Sequence, residues 1–417
     1  MNNSSWTYSN LQDLTESTIT YGVVKPGMDD PSGVSFIRGG DITGHSIQVE
    51  KLRKISPIVS QQYKRTILQG GEILISLVGT IGQIAIVPNS LKGANIYRQI
   101  ALVRLKPGID TRFVRYFLLS PEGQNSLQSQ IRGSVQNVIN LKELKQVKVP
   151  LPPLDEQKAI AHILGTLDDK IELNQQMNRT LEAIARAIFK SWFIDFDPVR
   201  AKMDGRQPAG MDAETAALFP DEFEDSALGQ IPKGWEVKTL SELANIESGK
   251  RPSERSSELT QYMKTPLFGG GGVMGYVKEP LYQKPILITG RVGTLGIVYR
   301  VSYPCWASDN TLVIIPKDFF TYEFLNFHLK EIRFDSLNRG STQPLVTQGD
   351  LKKQNLAVSD EKILKIFHQI TASFYQRCDG NSCESSISAS IRDTLLPKLL
   401  SGEICVKDAE KVLEEVM

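Results

Sequence analysis

RGSVQNVIN occupies residues 132–140 and RGSTQPLVT residues 339–347, so nearly the same phrase returns after 207 residues. Whether this is an accident or a duplication decides what fold to expect. Three further stretches repeat in the same order. Trp6, Leu11 and Leu14 share their W-x4-L-x2-L spacing with Trp235, Leu240 and Leu243. ILISLVGTIGQIAIV (73–87) matches ILITGRVGTLGIVYRV (286–301). LKQVKV (144–149) and LKKQNL (351–356) follow the RGS phrases in register. The offset drifts from 229 at the tryptophans to 214 at VGT and 207 at RGS. Ordered blocks with variable spacing describe two homologous modules whose loops differ in length.

Each module reads as β-rich. GEILIS, QIAIV and IALVRL are short apolar runs bounded by Gly and Pro, and PILIT, GIVYRV and TLVIIP are their counterparts. VGTIG and VGTLG then become glycine turns between two strands. RFVRYFLLS and YEFLNFHLKE fall at equivalent places and read as short helices.

The text between the modules is of another kind. Pro152 and Pro153 stop the preceding strand and permit a helix start. Ile160, Leu164, Leu167, Ile171, Asn174, Asn178, Leu181, Ala185 and Ile188 then alternate in steps of four and three. That is a coiled-coil seam with two central polar positions, on a helix of about 156–192 and roughly 55 Å. The partner helix follows the second module, through Ile363, Phe367, Ile370, Phe374, Arg377, Asn381, Glu384, Ser388, Ile391 and Leu395. Asn174 and Asn178 are expected to face Asn381 and Glu384. DGN at 379–381 is a candidate break, and Pro397 should end or kink the helix. Residues 204–234, acidic and rich in turn formers, read as an exposed linker.

The net charge of +1 conceals segregation. Residues 1–150 carry 17 Lys/Arg against 10 Asp/Glu, and residues 231–355 carry 16 against 12. Residues 151–230 carry 8 against 15, and residues 356–417 carry 7 against 10. Basic blocks suit a polyanion such as nucleic acid, while the acidic ones should stay off it. No apolar run is long enough to span a membrane, and the polar N-terminus has no signal-peptide core. Cys305, Cys378, Cys383 and Cys405 form no metal-ligand spacing, which points to cytosolic thiols.

Two patterns imitate chemistry. Gly270, Gly272 and Gly275 spell G-x-G-x-x-G, but YVKEP follows and opens no helix, so a flexible loop is expected there. Asp221, Glu236 and Lys238 match a loose PD…ExK nuclease pattern, with Gly229, Pro232 and Gly234 between them. His45, His162, His328 and His368 are scattered, and no P-loop or amino-methyltransferase tetrapeptide is present. No catalytic residues and no metal site are expected.

RGSVQNVINLKELKQVKVPLPPLDEQKAIAHIL is similar to the module-to-helix junction of the DNA-specificity (S) subunits of Type I restriction–modification enzymes. FPDEFEDSALGQIPKGWEVKTL resembles that family's lead-in to a second module, and LLPKLLSGEI its C-terminal ending. The second junction, NLAVSDEKILKIF, departs by lacking PPLxEQ. The resemblance implies an α+β fold with two tandem β-rich target-recognition domains, each followed by a long helix. The two helices would pair as an antiparallel coiled coil with pseudo-twofold symmetry. The corresponding boundaries are 1–152 and 231–358 for the domains, 153–200 for the central helix, 201–230 for the linker and 359–417 for the C-terminal helix and tail.

The resemblance also implies partners: double-stranded DNA, methyltransferase (M) subunits and restriction (R) subunits, in the cytoplasm and with no membrane. S-adenosylmethionine, ATP and Mg²⁺ would be used by those subunits, with no cofactor in this chain. Residues common to both modules cannot distinguish unlike half-sites. Thr80, Arg132, Ser134 and Gln136, with Thr294, Arg339, Ser341 and Gln343, are therefore expected at DNA phosphates or at the junction. The RGS phrase alternatively forms a tight turn that tethers module to helix. Gly79, Gly133, Gly293 and Gly340 would let the backbone turn or approach closely. Base readout is expected where the modules differ: Arg38, Gln61, Gln62, Lys64, Arg65, Arg98 and Gln99 in the first, and Lys250, Arg251, Arg255, Lys264, Arg291 and Asn310 in the second. A subunit of a Type IIG-like system and a coiled-coil protein-binding scaffold are the rival assignments.

Overall fold

The computed structural model describes residues 6–49, 52–79, 81–129, 131–132, 138–340 and 342–416. The chain divides into two compact units, Met1–Asn174 with Cys383–Met417, and Gln175–Ser382. In chain order the first part contains β1 (Thr7–Asn10), β2 (Thr20–Tyr21), β3 (Val34–Ile37), β4 (Ile42–Thr43), β5 (Ser46–Ile47) and β6 (Arg53–Ile55). Next come α1 (Pro57–Gln62), β7 (Ile73–Ser76), β8 (Ile84–Ile86), β9 (Asn95–Ile96), β10 (Ile100–Val103), α2 (Thr111–Leu119) and α3 (Pro121–Gln128). The module closes with β11 (Ile131–Arg132), β12 (Val138–Ile139), α4 (Leu141–Lys145) and β13 (Lys148–Leu151). Helix α5 (Leu154–Phe193) leads to α6 (Asp197–Met203), α7 (Ala213–Ala217), β14 (Phe223–Ser226) and β15 (Gly229–Pro232). The second module holds β16 (Glu236–Thr239), α8 (Leu240–Leu243), β17 (Ala244–Ser248), β18 (Thr265–Gly269), β19 (Gly272–Val277), β20 (Ile286–Gly290) and β21 (Val298–Val301). It continues through β22 (Trp306–Ala307), β23 (Thr311–Pro316), α9 (Tyr322–Glu331), α10 (Phe334–Leu337), α11 (Gln348–Lys352) and β24 (Asn355–Val358), before α12 (Glu361–Ser401) and α13 (Val406–Val416).

The two modules have one topology. A four-stranded sheet runs β2-β10-β7-β8 in the first and β17-β23-β20-β21 in the second. A three-stranded sheet runs β6-β3-β9 and β19-β18-β22, with the β3–β9 and β18–β22 pairs parallel. First and last strands pair antiparallel, β1 with β13 and β16 with β24, so each module is closed by its own ends.

The continuous apolar runs follow from burial on both faces. Ile73 and Ile75 of β7 enter the core with α2, while Leu74 enters the core toward the three-stranded sheet. In β20, Leu287 takes the helix side, and Ile286 and Ile288 take the other. A strand with only one covered face would have alternated with polar residues.

Within the first unit, Ile160, Leu164 and Leu167 of α5 share a core with Leu395, Leu396, Leu399 and Leu400 of α12, and Ile391 packs against it. Within the second, Ala185, Phe189, Trp192 and Phe193 pack with Ile363, Leu364, Phe367 and Tyr375, with Ile188, Ile370 and Phe374 beside them. Ile171 and Leu181 are half-buried. The pairing is antiparallel in each unit: Asp168 meets Arg392 while Asn174 meets Glu384, and Asn178 meets Asn381 while Phe189 meets Phe367.

Four expectations are corrected. Helix α12 runs through Asp379–Asn381 without a break, because Cys378 and Asn381 are buried seam positions on either side of Gly380, whose outer face is open. It also continues past Pro397, with Leu395, Leu396, Leu399 and Leu400 all buried. Four such burials, at about 1.5–3 kcal/mol each, exceed the roughly 3 kcal/mol that an interior proline costs. Earlier in the same helix the seam passes through Thr371, Tyr375 and Cys378, and Arg377 is exposed. Finally, the acidic segment is folded onto the second unit: Phe219 is buried with its ring 5.2 Å from that of Trp192, and β14 pairs with β15, whose Ile231 is buried. Ala216, Phe219 and Ile231, too few and too scattered to form a pattern, are buried, while Leu228 stays exposed.

Candidate nucleic-acid interface

The VGT turn organises one end of each module. It follows the central strand, β7 or β20, and glycines with positive φ shape it: Gly79 and Gly82 at 81° and 83°, Gly293 and Gly296 both at 82°. L-residues with side chains rarely adopt these angles. The RGS segment latches onto this turn in both modules. Ile139 N–H donates to Leu77 O at 3.1 Å, and Val346 N–H donates to Arg291 O at 2.9 Å. Val78 bridges Val138, and Val292 bridges Leu345.

In the second module the latch is described almost completely. Gly293 N–H donates to Pro344 O at 3.0 Å, and Arg339 N–H to Leu345 O at 2.9 Å. Asn338 Oδ1 accepts from the N–H groups of both Gly340 and Leu345. A Cβ on Gly340 would lie 1.8 Å from Gln343 O, so only glycine closes this turn. The Arg339 guanidinium is ion-paired with Asp350. Asp350 in turn accepts from Thr347, the N-cap of α11, and completes its capping box. Partial burial acts to raise its pKa, but the Thr347 hydrogen bonds and Arg339 hold the carboxyl below the usual range. Arg339 therefore tethers the loop to the junction, while Gln343 and Thr294 are exposed. Thr80, Ser134, Gln136, Gly133 and Ser341 lie outside the described residues, and of Arg132 only the backbone, in β11, is described.

Two more loops reach the same end. Leu77 N–H donates to Gln99 O at 2.7 Å, and Arg291 N–H donates to Asn310 O at 2.9 Å. Arg98 is exposed, its guanidinium 5.8 Å from the centre of the Tyr97 ring. Arg38, just after β3, is exposed and held by Asp41 at 3.0 Å. Gly39 beside it faces Ser76, Val78 and Gln99. In the second module Lys250 N–H donates to Ala307 O, and the Trp306 indole donates to Lys250 O at 2.6 Å. Arg291 is half-buried with Nη1 3.5 Å from Ser248 Oγ.

The turn thus gathers Arg38, Arg98 and Gln99 in one module, and Lys250, Arg291, Thr294, Asn310 and Gln343 in the other. Of the remaining candidates, Arg251 directly follows Lys250, and the others lie elsewhere on their modules. Gln61, Gln62, Lys64 and Arg65 are exposed on α1 and the 3-10 turn after it. That insertion is pinned by Asn95, which accepts from Thr66 Oγ1 at 2.7 Å and donates to Ser60 Oγ at 3.1 Å. Arg65 O accepts from Arg104, which pairs with Glu72 at the other end of β7 from VGT. Lys264 precedes β18 at the end away from Gly269, and Arg251 and Arg255 are exposed before that strand.

Sequence reasoning missed the polar knot that holds the first module to its helices. Asp168 of α5 accepts from Tyr116 Oη at 2.7 Å, from Arg115 at 3.2 Å and from Arg392 of α12 at 2.7 Å. Burial opposes ionisation of Asp168, but Tyr116, Arg392 and Arg115 together lower its pKa. In the second module Arg300 pairs with the fully buried Glu323 at 2.8 Å, beneath the Tyr375 ring of α12. No spacing in the sequence announces either cluster, because each joins three elements.

The decoys resolve as structure. GGGGVMG is the β18–β19 hairpin, a register-bearing turn rather than a flexible loop, with Gly275 inside β19. Glu236 and Lys238 pair with each other at 2.8 Å on β16. Among the described residues no His/Cys/Asp/Glu group has metal-site geometry, and no helix is long and apolar enough to cross a membrane.

The chain matches the family model described as Type I restriction modification DNA specificity domain over residues 3–183 and again over 232–376. It is 28% identical over 434 residues to the Type I restriction enzyme HindI specificity subunit of Haemophilus influenzae, covering 89% of this chain and 94% of that protein. It is 27% identical over 380 residues to the MjaIX specificity subunit of Methanocaldococcus jannaschii, covering 85% and 83%. The crystal structure of a Type I restriction–modification S subunit from M. genitalium shares the fold, with a TM-score of 0.58 at 21% identity over 96% of this chain and 97% of that one. Two matched segments, two modules of one strand order and a long helix after each lead to one conclusion: the chain belongs to the Type I restriction–modification DNA specificity family, whose members are non-catalytic recognition subunits.

Proposed function

We propose that each module reads one half of a split, asymmetric DNA site. The observation that carries this is the common end built on the VGT turn. Its described backbone hydrogen bonds correspond in the two modules, while the side chains beside them differ: Arg38, Arg98 and Gln99 against Lys250, Arg291 and Asn310. Arginine suits guanine, and Gln or Asn suits adenine, when presented to the major groove. A frame shared by both modules with unlike displays fits unlike half-sites.

The paired helices would set the gap between half-sites and dock the methyltransferase and restriction subunits. S-adenosylmethionine, ATP and Mg²⁺ would then serve those subunits, in the cytoplasm. This chain would position a methyltransferase that must flip its target base out of the duplex.

The test is co-expression with the neighbouring methyltransferase in a methylation-free host, with modified adenines mapped by single-molecule sequencing. The proposal requires a split motif that vanishes without this chain, and half of which changes when module one is exchanged. The same motif with and without the chain would refute it.

A further inference from the structure

The modules differ most where the three-stranded sheet turns back beside VGT. In the first, the chain after β3 forms the β4–β5 hairpin before β6. In the second, β18 turns directly into β19 at Gly269–Gly272. Both connections ride the VGT turn. A Cβ on Gly39 would lie 3.5 Å from Val78 O, and one on Gly270 would lie 3.2 Å from both Gly290 Cα and Thr294 O. Tyr299 Oη reaches Gly270 O at 3.5 Å, so the second tip is seated from below as well.

That seated tip ends in two apolar side chains. Val273 is 49% exposed and Met274 44%. They follow the hairpin turn that sits against Gly290 and Thr294, at the end of the module that carries Lys250, Arg291 and Asn310. An aliphatic side chain offers nothing to a phosphate. The apolar group that a duplex displays beside its hydrogen-bonding edges is the 5-methyl of thymine, in the major groove. We infer that Val273 and Met274 read thymine methyl groups in the half-site of the second module, a role that rests on the DNA-reading function proposed above. The four glycines then serve a purpose: they thin the hairpin so that its tip sits flush on the turn and leaves its apolar pair exposed there.

The experiment uses the chain assembled with its methyltransferase. Once the motif is mapped, each thymine of the second half-site is replaced in turn by deoxyuridine, which lacks only the methyl. Competition binding at one or more positions should weaken by about 4-fold, the value of one buried methyl group. Val273→Ser with Met274→Gln should bind thymine and uracil duplexes alike, and uracil in the first half-site should not distinguish variant from parent. A complex that is sequence-specific yet indifferent to uracil throughout the second half-site overturns this inference alone. A variant that loses affinity equally on both duplexes and copurifies less methyltransferase also overturns it, because the tip then docks protein. Absence of any sequence-specific binding removes the proposed function, and the inference with it.

Discussion

Arg339, the arginine of the second RGS phrase, is ion-paired with Asp350, the carboxylate that completes the capping box of the helix leading into β24. The repeated arginine thus sits in a tether between the VGT latch and the junction. Arg339 is 64% exposed, so the pair contributes about 1 kcal/mol at most. Arg339→Ala and Asp350→Ala should each lower the unfolding temperature, with less than additive loss in the double variant. The dependence of DNA affinity on salt should not change in Arg339→Ala. A slope reduced by about 0.9 would instead assign the arginine to a phosphate.

Gly290 and Gly340 are positions that no side chain can occupy without displacing backbone. A Cβ at either would lie 1.8 Å from a carbonyl oxygen, that of Thr294 or Gln343. Each Gly→Ala variant should lose about 2–4 kcal/mol in denaturant unfolding. Any folded fraction should lose recognition at the second half-site only, as methylation mapping would reveal.

The seam is polar at its centre, where Asn381 Nδ2 donates to Asn178 Oδ1 at 2.8 Å. Asn381→Leu should destabilise the second unit by about 1–3 kcal/mol, because Asn178 loses that donor inside a packed seam. Asn178→Leu with Asn381→Leu should recover much of that stability but specify register less well. Denaturation of the three variants checks the order.

His328 is buried between aromatic rings, 4.9 Å from Phe189 and 4.4 Å from Phe324, and burial pushes its pKa down to about 3. The unfolded chain binds a proton near pH 6.5 that the folded chain refuses. Stability should therefore fall as pH drops from about 6.5 toward 3, by at most about 1.4 kcal/mol per pH unit from this group. His328→Phe should flatten that part of the stability profile, measured by denaturant titration at several pH values.

Arg251 and Arg255 are exposed. If they hold DNA backbone, each Arg→Gln change should reduce the salt slope by about 0.9 and weaken all sequences alike. Arg98→Ala should instead relax the base preference at one position of the first half-site, at about 1–3 kcal/mol. Affinity on a panel of single-base variants separates the two behaviours.

The duplication, the central strands and both long helices were legible because each repeats a local period or phrase. The candidate interface was legible only where it coincided with such a phrase. Arg98 and Gln99 belong to the VGT end because Leu77 bonds to Gln99 across the β7–β10 pair, which linear spacing does not show. Lys264 has similar composition yet lies at the opposite end of its strand. The fate of Pro397 and of the DGN triplet turned on which neighbours were buried, and local propensity misjudged both.

What the sequence by itself determined is the pair of modules, the helix after each and the central polar stretch of the seam. These depend on periodicity and on near-neighbour geometry, which are written along the chain. Only the tertiary structure decided which loops share the VGT end, how Asp168 gathers Tyr116, Arg115 and Arg392, and that Val273 and Met274 are exposed beside a glycine hairpin turn. Each of those joins residues distant in sequence, and their closeness is set by strand order and burial rather than by any local preference.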